Sequence, residues 1–288
     1  MDLVLLIQLA LNGIVLGLVY GLVGLGLALV LGVMGVLNIA HGALYMIGGY
    51  FTFVVSVQLG LSPILGVLVA IAGTFLIGVV IDRGVISMVS NDHTRVMIIT
   101  FGLAVILGQV SLLIFGGNTV AAPPIVRSSV VFGPFYLQSQ ILLASLIGVA
   151  VAGLTVVFLM KTRTGKFMRM ISQNAEAAQS IGVRTKRISS IALGLGSSFS
   201  GLAGALLIPV YLDSPYTQWT PLIAAFVVVI VGGLGSVTGS MVGGLLFGIL
   251  ETIGSYFLPA GSDVFVLVLI IAIVLVRPTG LFGSKDRV

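Results

Sequence analysis

The stretch that decides the fold is residues 11–50, "LNGIVLGLVYGLVGLGLALVLGVMGVLNIAHGALYMIGGY", which contains no Asp, Glu, Lys or Arg. A hydrocarbon core about 30 Å thick needs roughly 20 apolar residues per helical span, and this stretch exceeds that length. Its glycines suit helices that pack closely in a bilayer, where small residues let backbones approach. Its apolar residues are continuous rather than alternating, which argues against a β-barrel. The stretch therefore predicts membrane-spanning helices.

The rest of the chain has the same character. Of 288 residues, 58% are hydrophobic and only 7% are charged, so a soluble globule would leave most of its apolar surface in water. We predict an all-α polytopic membrane protein that forms a single transmembrane domain over residues 1–288. The chain has no cysteine, which excludes disulfides and thiolate metal sites, and we expect no metal site. It also lacks a GxxxxGK[ST] loop for ATP, and the positive-inside rule explains its net charge of +5 without nucleic acid.

Eight apolar blocks have a length near that of a membrane span, which predicts about eight transmembrane helices. They cover residues 3–33, 40–58, 62–81, 95–115, 138–160, 188–210, 222–255 and 264–276. The first and the seventh exceed a single span. Glu251 is the only acid inside one of these blocks, and we expect it at the outer rim.

The positions of the cations predict the orientation of the chain. Seven of the 13 Lys and Arg residues lie between Lys161 and Arg187, so this segment and the C-terminal tail are assigned to the cytoplasm. The connections 116–137 and 211–221 then face outward, and Asp213 and Trp219 are assigned to an outward-facing loop. The connection 211–221 lies outside. If residues 222–255 and 264–276 each crossed the membrane once, the C-terminal tail would also end outside, against the position of its cations.

We therefore expect block 222–255 to return to its starting side, as two short spans or a re-entrant pair broken near "VGGLGSVTGS" (231–240). A kinked ordinary helix is the alternative. A second glycine-punctuated break is expected within residues 32–50. Broken helices are tolerated where they line a cavity or are buried in protein, so both breaks indicate the region of a transport pathway.

The cation-rich segment contains a short predicted helix, "NAEAAQSIG" (174–182). Asn174 is a good N-cap, Glu176 places an acid in the first turn, and Gly182 suits the position after the last turn. Ile171, Ala175 and Ala178 are expected to share a small apolar face. A helix of two turns cannot bury enough area to be stable alone, so we expect it to dock on a partner.

Glu176-Ala177-Ala178, followed after three residues by Gly182, resembles the EAA---G loop of bacterial ATP-binding cassette (ABC) importer permeases. Residues 162–183, 11–50 and 221–251 are together similar to the permease family of branched-chain amino acid importers, and within it to the shorter, LivH-type subunit. One departure is that no Leu-Pro pair follows Gly182, where the general pattern has one.

The resemblance implies a type II-like ABC importer permease fold, with residues 161–187 as the loop that couples it to the ATPases. It implies an ATPase-coupling role for Asn174, Glu176, Ala177, Ala178 and Gly182, with Arg163, Lys166, Arg169 and Arg184 on the surface of the same loop. The implied partners are two LivG/LivF-type ATPases, a LivM-type second permease and a periplasmic binding protein. ATP and Mg²⁺ would be bound by the ATPases, so no cofactor is expected on this chain. The implied location is a bacterial or archaeal cytoplasmic membrane.

Residues at the two breaks are candidates for the translocation pathway. The polar ones are candidates because polar groups at membrane depth usually face the bundle interior or a water-filled path, and the glycines because they interrupt a helix there. The candidates are Asn38, His41, Tyr45, Gly232, Gly233 and Gly235. Asn38, His41 and Tyr45 are spaced to share a helix face. Alternatively, His41 hydrogen-bonds a neighbouring backbone group and fixes the break.

Two other functional classes remain open at this stage. An ion-coupled secondary transporter or channel usually needs carboxylates near the midplane, and the central blocks offer none. An integral membrane enzyme is disfavoured by the absence of HExxH and GxSxG signatures. The resemblance implies Leu, Ile and Val as substrates, whereas related permeases carry urea, short amides, other amino acids or aromatic acids.

Overall fold

A computed structural model describes residues 3–89, 92–258, 268, 271, 275 and 280–282. Within these residues the chain forms ten α-helices of six residues or more, which are α1 (Leu3–Met34), α2 (His41–Phe53), α3 (Pro63–Ile81), α4 (His93–Phe115), α5 (Ser139–Lys161), α6 (Arg163–Gln173), α7 (Ala175–Ser180), α8 (Thr185–Tyr211), α9 (Trp219–Gly232) and α10 (Val237–Phe257). Two of them are prolonged by π-helical turns, α2 through Val54–Gln58 and α3 through Asp82–Ile86, after which Ser87–Val89 adds a further turn.

The helices agree with the predicted apolar blocks. Six of the described helices are long and apolar enough to cross a membrane, namely α1, α3 with its extension, α4, α5, α8 and α10, while α9 is shorter. Six predicted blocks coincide with single helices. One of these is the first block, which forms one continuous helix of 32 residues although it exceeds the length of a single span. The block 264–276 lies mostly outside the described residues. The prediction of a polytopic helical membrane protein is confirmed.

Side chains placed just before three helices explain where those helices begin. Ser62 accepts a hydrogen bond from the Leu65 N–H at 3.3 Å, and Pro63 occupies the first position of α3, where its missing N–H is harmless. Asp92 caps α4 in the same way, and Ser236 caps α10 through the Gly239 N–H at 3.0 Å. These caps therefore fix the start of three of the longer helices.

One short sheet was not predicted. Strands β1 (Ser129–Phe132) and β2 (Phe135–Gln138) form an antiparallel hairpin inside the connection 116–137. Its strands are rich in valine and aromatic residues, and Gly133 has φ +57° in the turn. The Gln8 amide fastens the hairpin to α1, because it donates to the Tyr136 carbonyl at 2.6 Å and accepts from the Tyr136 N–H at 2.9 Å.

Helix α1 is central, and its seam with α10 is built from glycines. A Cβ on Gly244 would overlap the backbone of Gly21, and a Cβ on Gly248 would overlap the backbone of Gly17. Only glycine lets the two backbones approach this closely, which is how helices in lipid gain contact without hydrophobic drive. The part of α1 that follows Asn12 is therefore buried against protein along much of its length.

The antiparallel seam defines two ends of the molecule. Gly13 lies against Ile249, whereas Gly32 lies against Gly235. We call the end with the start of α1, the end of α10 and the β-hairpin the hairpin end. The opposite end, with the end of α1, residues 233–236, α6 and α7, is the basic end.

The chain breaks at both predicted glycine-rich places. Residues 35–40 and 233–236 are not helical, and α9 and α10 run in opposite directions, since Gly232 lies against Gly239 and Gly243 against Val228. Block 222–255 thus contains two helices, and the chain returns to the side of the molecule from which α9 comes. The prediction of a reversal is confirmed, and the alternative of one kinked helix is wrong.

Candidate functional site

The predicted coupling helix is present at the basic end as α7. The Asn174 Oδ1 atom accepts a hydrogen bond from the Ala177 N–H at 2.9 Å, so Asn174 is the N-cap that the sequence predicts. Glu176 lies in the first turn, and Gly182 has φ +86°, a left-handed conformation that favours glycine. The helix is preceded by α6, which was not separated from it in the sequence analysis.

Helices α6 and α7 rest on the bundle through one apolar cluster. Met168 and Ile171 of α6 and Ala178 of α7 are buried there against α1 and α8. The other buried members of this cluster are Leu29, Val33, Val183, Ile188 and Ala192. The predicted apolar face is correct for Ile171 and Ala178, but Ala175 is exposed, because α6 and α7 are two helices with a change of direction at Asn174. A displacement of α7 would therefore reach α8 directly and α1 through α6.

The opposite surface of these helices is accessible. Asn174, Glu176, Ala177 and Gly182 are exposed, as is the large apolar side chain of Ile181, at 68%. The four predicted surface cations, Arg163, Lys166, Arg169 and Arg184, are also exposed. None of these four cations forms an ion pair with another described residue. The ion pair found among the described residues joins Arg95 and Asp92. The basic end therefore presents a cationic surface around a short helix of small residues.

The break at 35–40 is held by polar side chains inside the bundle. The Ile39 N–H donates to the Thr100 hydroxyl at 3.1 Å, and the Ala40 N–H donates to the Asn38 Oδ1 atom at 3.1 Å. The His41 Nε2 atom is hydrogen-bonded to the Val23 carbonyl at 2.9 Å. The first two contacts satisfy N–H groups that the interrupted helix leaves unpaired, which irregular backbone at membrane depth requires, and the third ties the start of α2 to the middle of α1.

Asn38, His41 and Tyr45 are all buried, but they do not form the single helix face that the spacing predicts. Asn38 precedes the first residue of α2, so only His41 and Tyr45 share a helix. The break moves Asn38 into extended chain, where its side chain turns back onto Ala40. The contact between His41 and Val23 is the backbone bond that the alternative interpretation of His41 expects.

The six pathway candidates lie in two separate places. Val23, the partner of His41, is roughly 16 Å from the end of α1 at about 1.5 Å per residue. The glycines of the second break lie instead at the basic end, where Gly235 contacts Gly32. Gly233 and Gly235 have φ +105° and +77°, and the N–H groups of Leu281 and Phe282 bond the carbonyls of Val231 and Gly232. The structure brings Gly232, Gly233 and Gly235 together, whereas His41 and Tyr45 lie deeper in the bundle, against Gly26 and Gly204.

A cavity joins the second break to the coupling helices. It has a volume of about 420 Å³ and is lined by residues 31–35 at the end of α1, by Ile171, Ser172 and Ala175, and by Leu234. Leu234, which lies between the predicted pathway glycines Gly233 and Gly235, and Ala175, the first residue of the coupling helix, therefore border one space.

A buried polar turn between α8 and α9 was not predicted from the sequence. Asp213 is only 2% exposed, so within the connection 211–221 its side chain is buried rather than presented on the surface. Its backbone pairs with Val120 in a β-bridge, its Oδ1 atom accepts from the Ser214 N–H at 2.9 Å, and its Oδ2 atom points at Gly49. Burial raises the pKa of the Asp213 carboxyl, while the Ser214 N–H and the Thr217 hydroxyl lower it. The serine and threonine beside Asp213 in "LDSPYT" (212–217) were the available signal.

A multi-pass bundle with two interrupted segments and an exposed short helix at a cationic end belongs to the class of membrane transport permeases. The model of the family described as "branched-chain amino acid transport system / permease component" matches residues 9–275. The chain belongs to this family.

The relatives agree with this assignment. The branched-chain amino acid permease protein LivH of Salmonella typhimurium is 30% identical over 96% of this chain and 94% of its own length. The permease protein BraD of Pseudomonas aeruginosa is 28% identical over 97% and 96%. Among solved structures, PsaBC from Streptococcus pneumoniae in complex with Fab superposes with a TM-score of 0.50 at 14% identity, over 96% of this chain and 92% of that chain. The fold is thus that of an ABC importer permease.

Proposed function

We propose that the chain is the LivH-type permease subunit of an ABC importer that carries branched-chain amino acids inward by alternating access. ATP hydrolysis takes place on two separate LivG/LivF-type ATPases that hold ATP and Mg²⁺. A LivM-type subunit completes the permease pair, and a periplasmic binding protein delivers Leu, Ile or Val. The membership of the chain in this permease family, over nearly its whole length, is the observation that carries the proposal.

The basic end is the cytoplasmic end in this proposal. Exposed cations cluster there, and Lys and Arg accumulate on the cytoplasmic side of membrane proteins. The hairpin end then faces the periplasm or cell exterior and meets the binding protein. The membrane is the bacterial or archaeal cytoplasmic membrane.

The α6–α7 pair is the proposed coupling element. Its outer surface, with Glu176, Ala177 and Ile181, is free to enter a groove on an ATPase, and its inner surface packs on α1 and α8 through Met168 and Ala178. Closure of the ATPases would push α7 and pass the displacement to the two long helices. The cations Arg163, Lys166, Arg169 and Arg184 would favour both anionic lipid and acidic groups on the ATPase.

The proposed coupling role is tested by Glu176→Lys and by Gly182→Val, compared with Gly182→Asn. Lysine in the first turn of α7 reverses the charge that suits a helix N-terminus. Valine at φ +86° is strained, whereas asparagine tolerates this conformation, and no atom crowds either side chain. We expect the lysine and valine variants to insert normally but to lose co-purification with the ATPases, or to hydrolyse ATP without leucine uptake, while the asparagine variant retains both.

Normal ATPase binding and uptake in both disruptive variants would contradict the coupling role. Leucine uptake by the purified chain in liposomes without any ATPase would instead favour the secondary transporter or channel.

A further inference from the structure

A cavity at the hairpin end has the composition of a binding site for a small solute. Its volume is about 420 Å³, within the roughly 300–1,000 Å³ of small-molecule sites. It lies between the start of α1, strand β2, the start of α5 and the ends of α8 and α10. We call it the hairpin-end cavity, and its lining residues are Asn12, Val15, Leu16, Tyr20, Tyr136, Leu137, Gln138, Ile141, Tyr211, Glu251, Thr252 and Ser255.

The lining combines an aliphatic wall with polar groups around one acid. Val15, Leu16, Leu137 and Ile141 form the aliphatic part. Among the lining residues Glu251 is the only carboxylate, and none is Lys, Arg or His. The site therefore suits a ligand that has an aliphatic body and a cationic group.

Glu251 is placed where an ionisable residue in a membrane helix normally has a functional role. It is half-buried on α10 and interacts electrostatically with Tyr211 at the end of α8. Intramembrane acids almost always face a bundle interior or a water-filled cavity. The expectation of a position near the outer rim is consistent with the hairpin end, but the side chain lines a cavity.

The walls of the hairpin-end cavity are held in place by contacts that do not involve a ligand. Gln8 fastens Tyr136 of β2 to α1, and its amide nitrogen also donates to the Asn12 Oδ1 atom at 3.0 Å. The Asn12 amide nitrogen is then the part of that side chain still able to donate, for example to a carboxylate. Tyr20 packs edge-on against Phe247, with ring centroids 4.8 Å apart. A preorganised site loses less conformational freedom on binding.

We propose that the hairpin-end cavity binds an aliphatic amino acid on its way through the permease, with Glu251 holding the ammonium group and the aliphatic wall holding the side chain. This proposal rests on the proposed function for its solute. It assigns to this chain a recognition step of its own, in addition to that of the binding protein.

The absence of natural cysteine makes a direct test available. Ser255→Cys places a thiol at an exposed position of the cavity lining, and Ser129→Cys places a matched thiol on β1 outside it. In the complete importer, the rate of maleimide modification is measured with leucine, with 3-methylbutylamine, which lacks the carboxylate, and with 4-methylpentanoate, which lacks the amine.

We expect leucine and 3-methylbutylamine to slow modification of Ser255→Cys by about tenfold at saturation, and 4-methylpentanoate to leave it unchanged. None of the three should affect Ser129→Cys. Adding Glu251→Gln to Ser255→Cys should weaken protection by leucine at least about tenfold, since hydrogen bonds that involve an ionised partner are stronger than those between neutral groups. Adding Asp92→Asn, which removes an exposed acid at the basic end and can still cap α4, should leave protection unchanged.

Absence of protection by leucine, equal protection with Glu251→Gln, or protection by 4-methylpentanoate would overturn the proposed site. Leucine uptake is measured in the same preparations. Uptake without protection overturns this site and leaves the proposed function, whereas protection without uptake overturns the import function and leaves a solute site.

Discussion

The glycine seam between α1 and α10 and the small contact of α7 with the bundle hold their helices in opposite ways. In the seam, Gly17, Gly21, Gly244 and Gly248 bring two backbones into contact with no side chain between them. In contrast, α7 buries only Ala178 among its six residues and leaves the rest of its surface exposed. The seam cannot adjust without losing its fit, because close-packed interiors are not continuously deformable. The contact of α7 with the bundle buries so little surface that the helix can be displaced.

This difference assigns different roles to the two regions. The glycine seam makes α1 and α10 a stiff pair that spans both ends of the molecule. Helix α7 adds little to the stability of the bundle, yet it packs on α8 directly and is linked to α1 through Met168 of α6. In the proposed importer, a movement of α7 imposed by the ATPase would therefore be passed through a small, adjustable contact to helices that move as a unit.

The largest effect is expected from Gly244→Leu, which inserts a side chain into the seam. Its Cβ alone would overlap the backbone of Gly21, so the helices must separate, and we expect a loss of at least about 3 kcal/mol of stability. Gly153→Leu is the matched control, because Gly153 is exposed on α5 and nothing lies within 4 Å of the added Cβ. The yield of monodisperse protein and its thermal unfolding in detergent measure the difference. Equal behaviour of the two variants would show that the seam is not tightly packed.

A smaller effect is expected from Met168→Ala, which removes a buried side chain from the apolar cluster that holds α6 and α7 on the bundle. Met168 is fully buried, and truncation of such a side chain costs at least about 2 kcal/mol in a soluble core; we expect this lower figure here, because the contact holds α6 and α7 rather than the long helices together. We expect the variant to fold but to expose residues 162–184 to proteolysis. Met160→Ala, at a position 54% exposed on α5, is the control and should keep the wild-type cleavage pattern. Unchanged protection of the segment in Met168→Ala would mean that α6 is held by other contacts.

The smallest effect is expected from Asn174→Ala, which removes the cap of α7. Loss of an N-cap costs about 1 kcal/mol, so the bundle should keep its stability while α7 frays. Hydrogen exchange at the Ala177 amide should accelerate about fivefold, and Asn174→Ser should restore the wild-type rate because serine also caps. Equal exchange in the alanine and serine variants would exclude a role of this cap.

Most of the helical architecture could be predicted because it depends on local sequence. Span length, the glycine-rich breaks and the cap at Asn174 are properties of neighbouring residues, and the structure has all three. The reversal within residues 222–255 followed from charge balance alone. The hairpin 129–138 was missed because the residue that hydrogen-bonds it to α1, Gln8, is over a hundred residues away in sequence.

The candidate site was predictable to the same extent. The cap, the acid and the glycine of α7 follow one another in the chain and were correctly located. The burial of Asp213 depends on Gly49 and Val120, and no local pattern relates these residues. Likewise, Asn38 and Tyr45 were expected on one helix face, because sequence spacing does not reveal that the helix begins only at His41.

The sequence by itself determined that this protein lies in a membrane, where its helices begin and break, and which end carries the cations. Apolar run length and charge position suffice for this, because the bilayer acts on each segment separately. Only the tertiary structure decided which glycines meet and which polar groups are buried, and it alone gathered Glu251, Asn12 and the aliphatic wall around one cavity. Those arrangements depend on contacts between segments distant in sequence. For residues 174–182, the local sequence makes the helix, and packing against α1 and α8 decides which side of it faces outward.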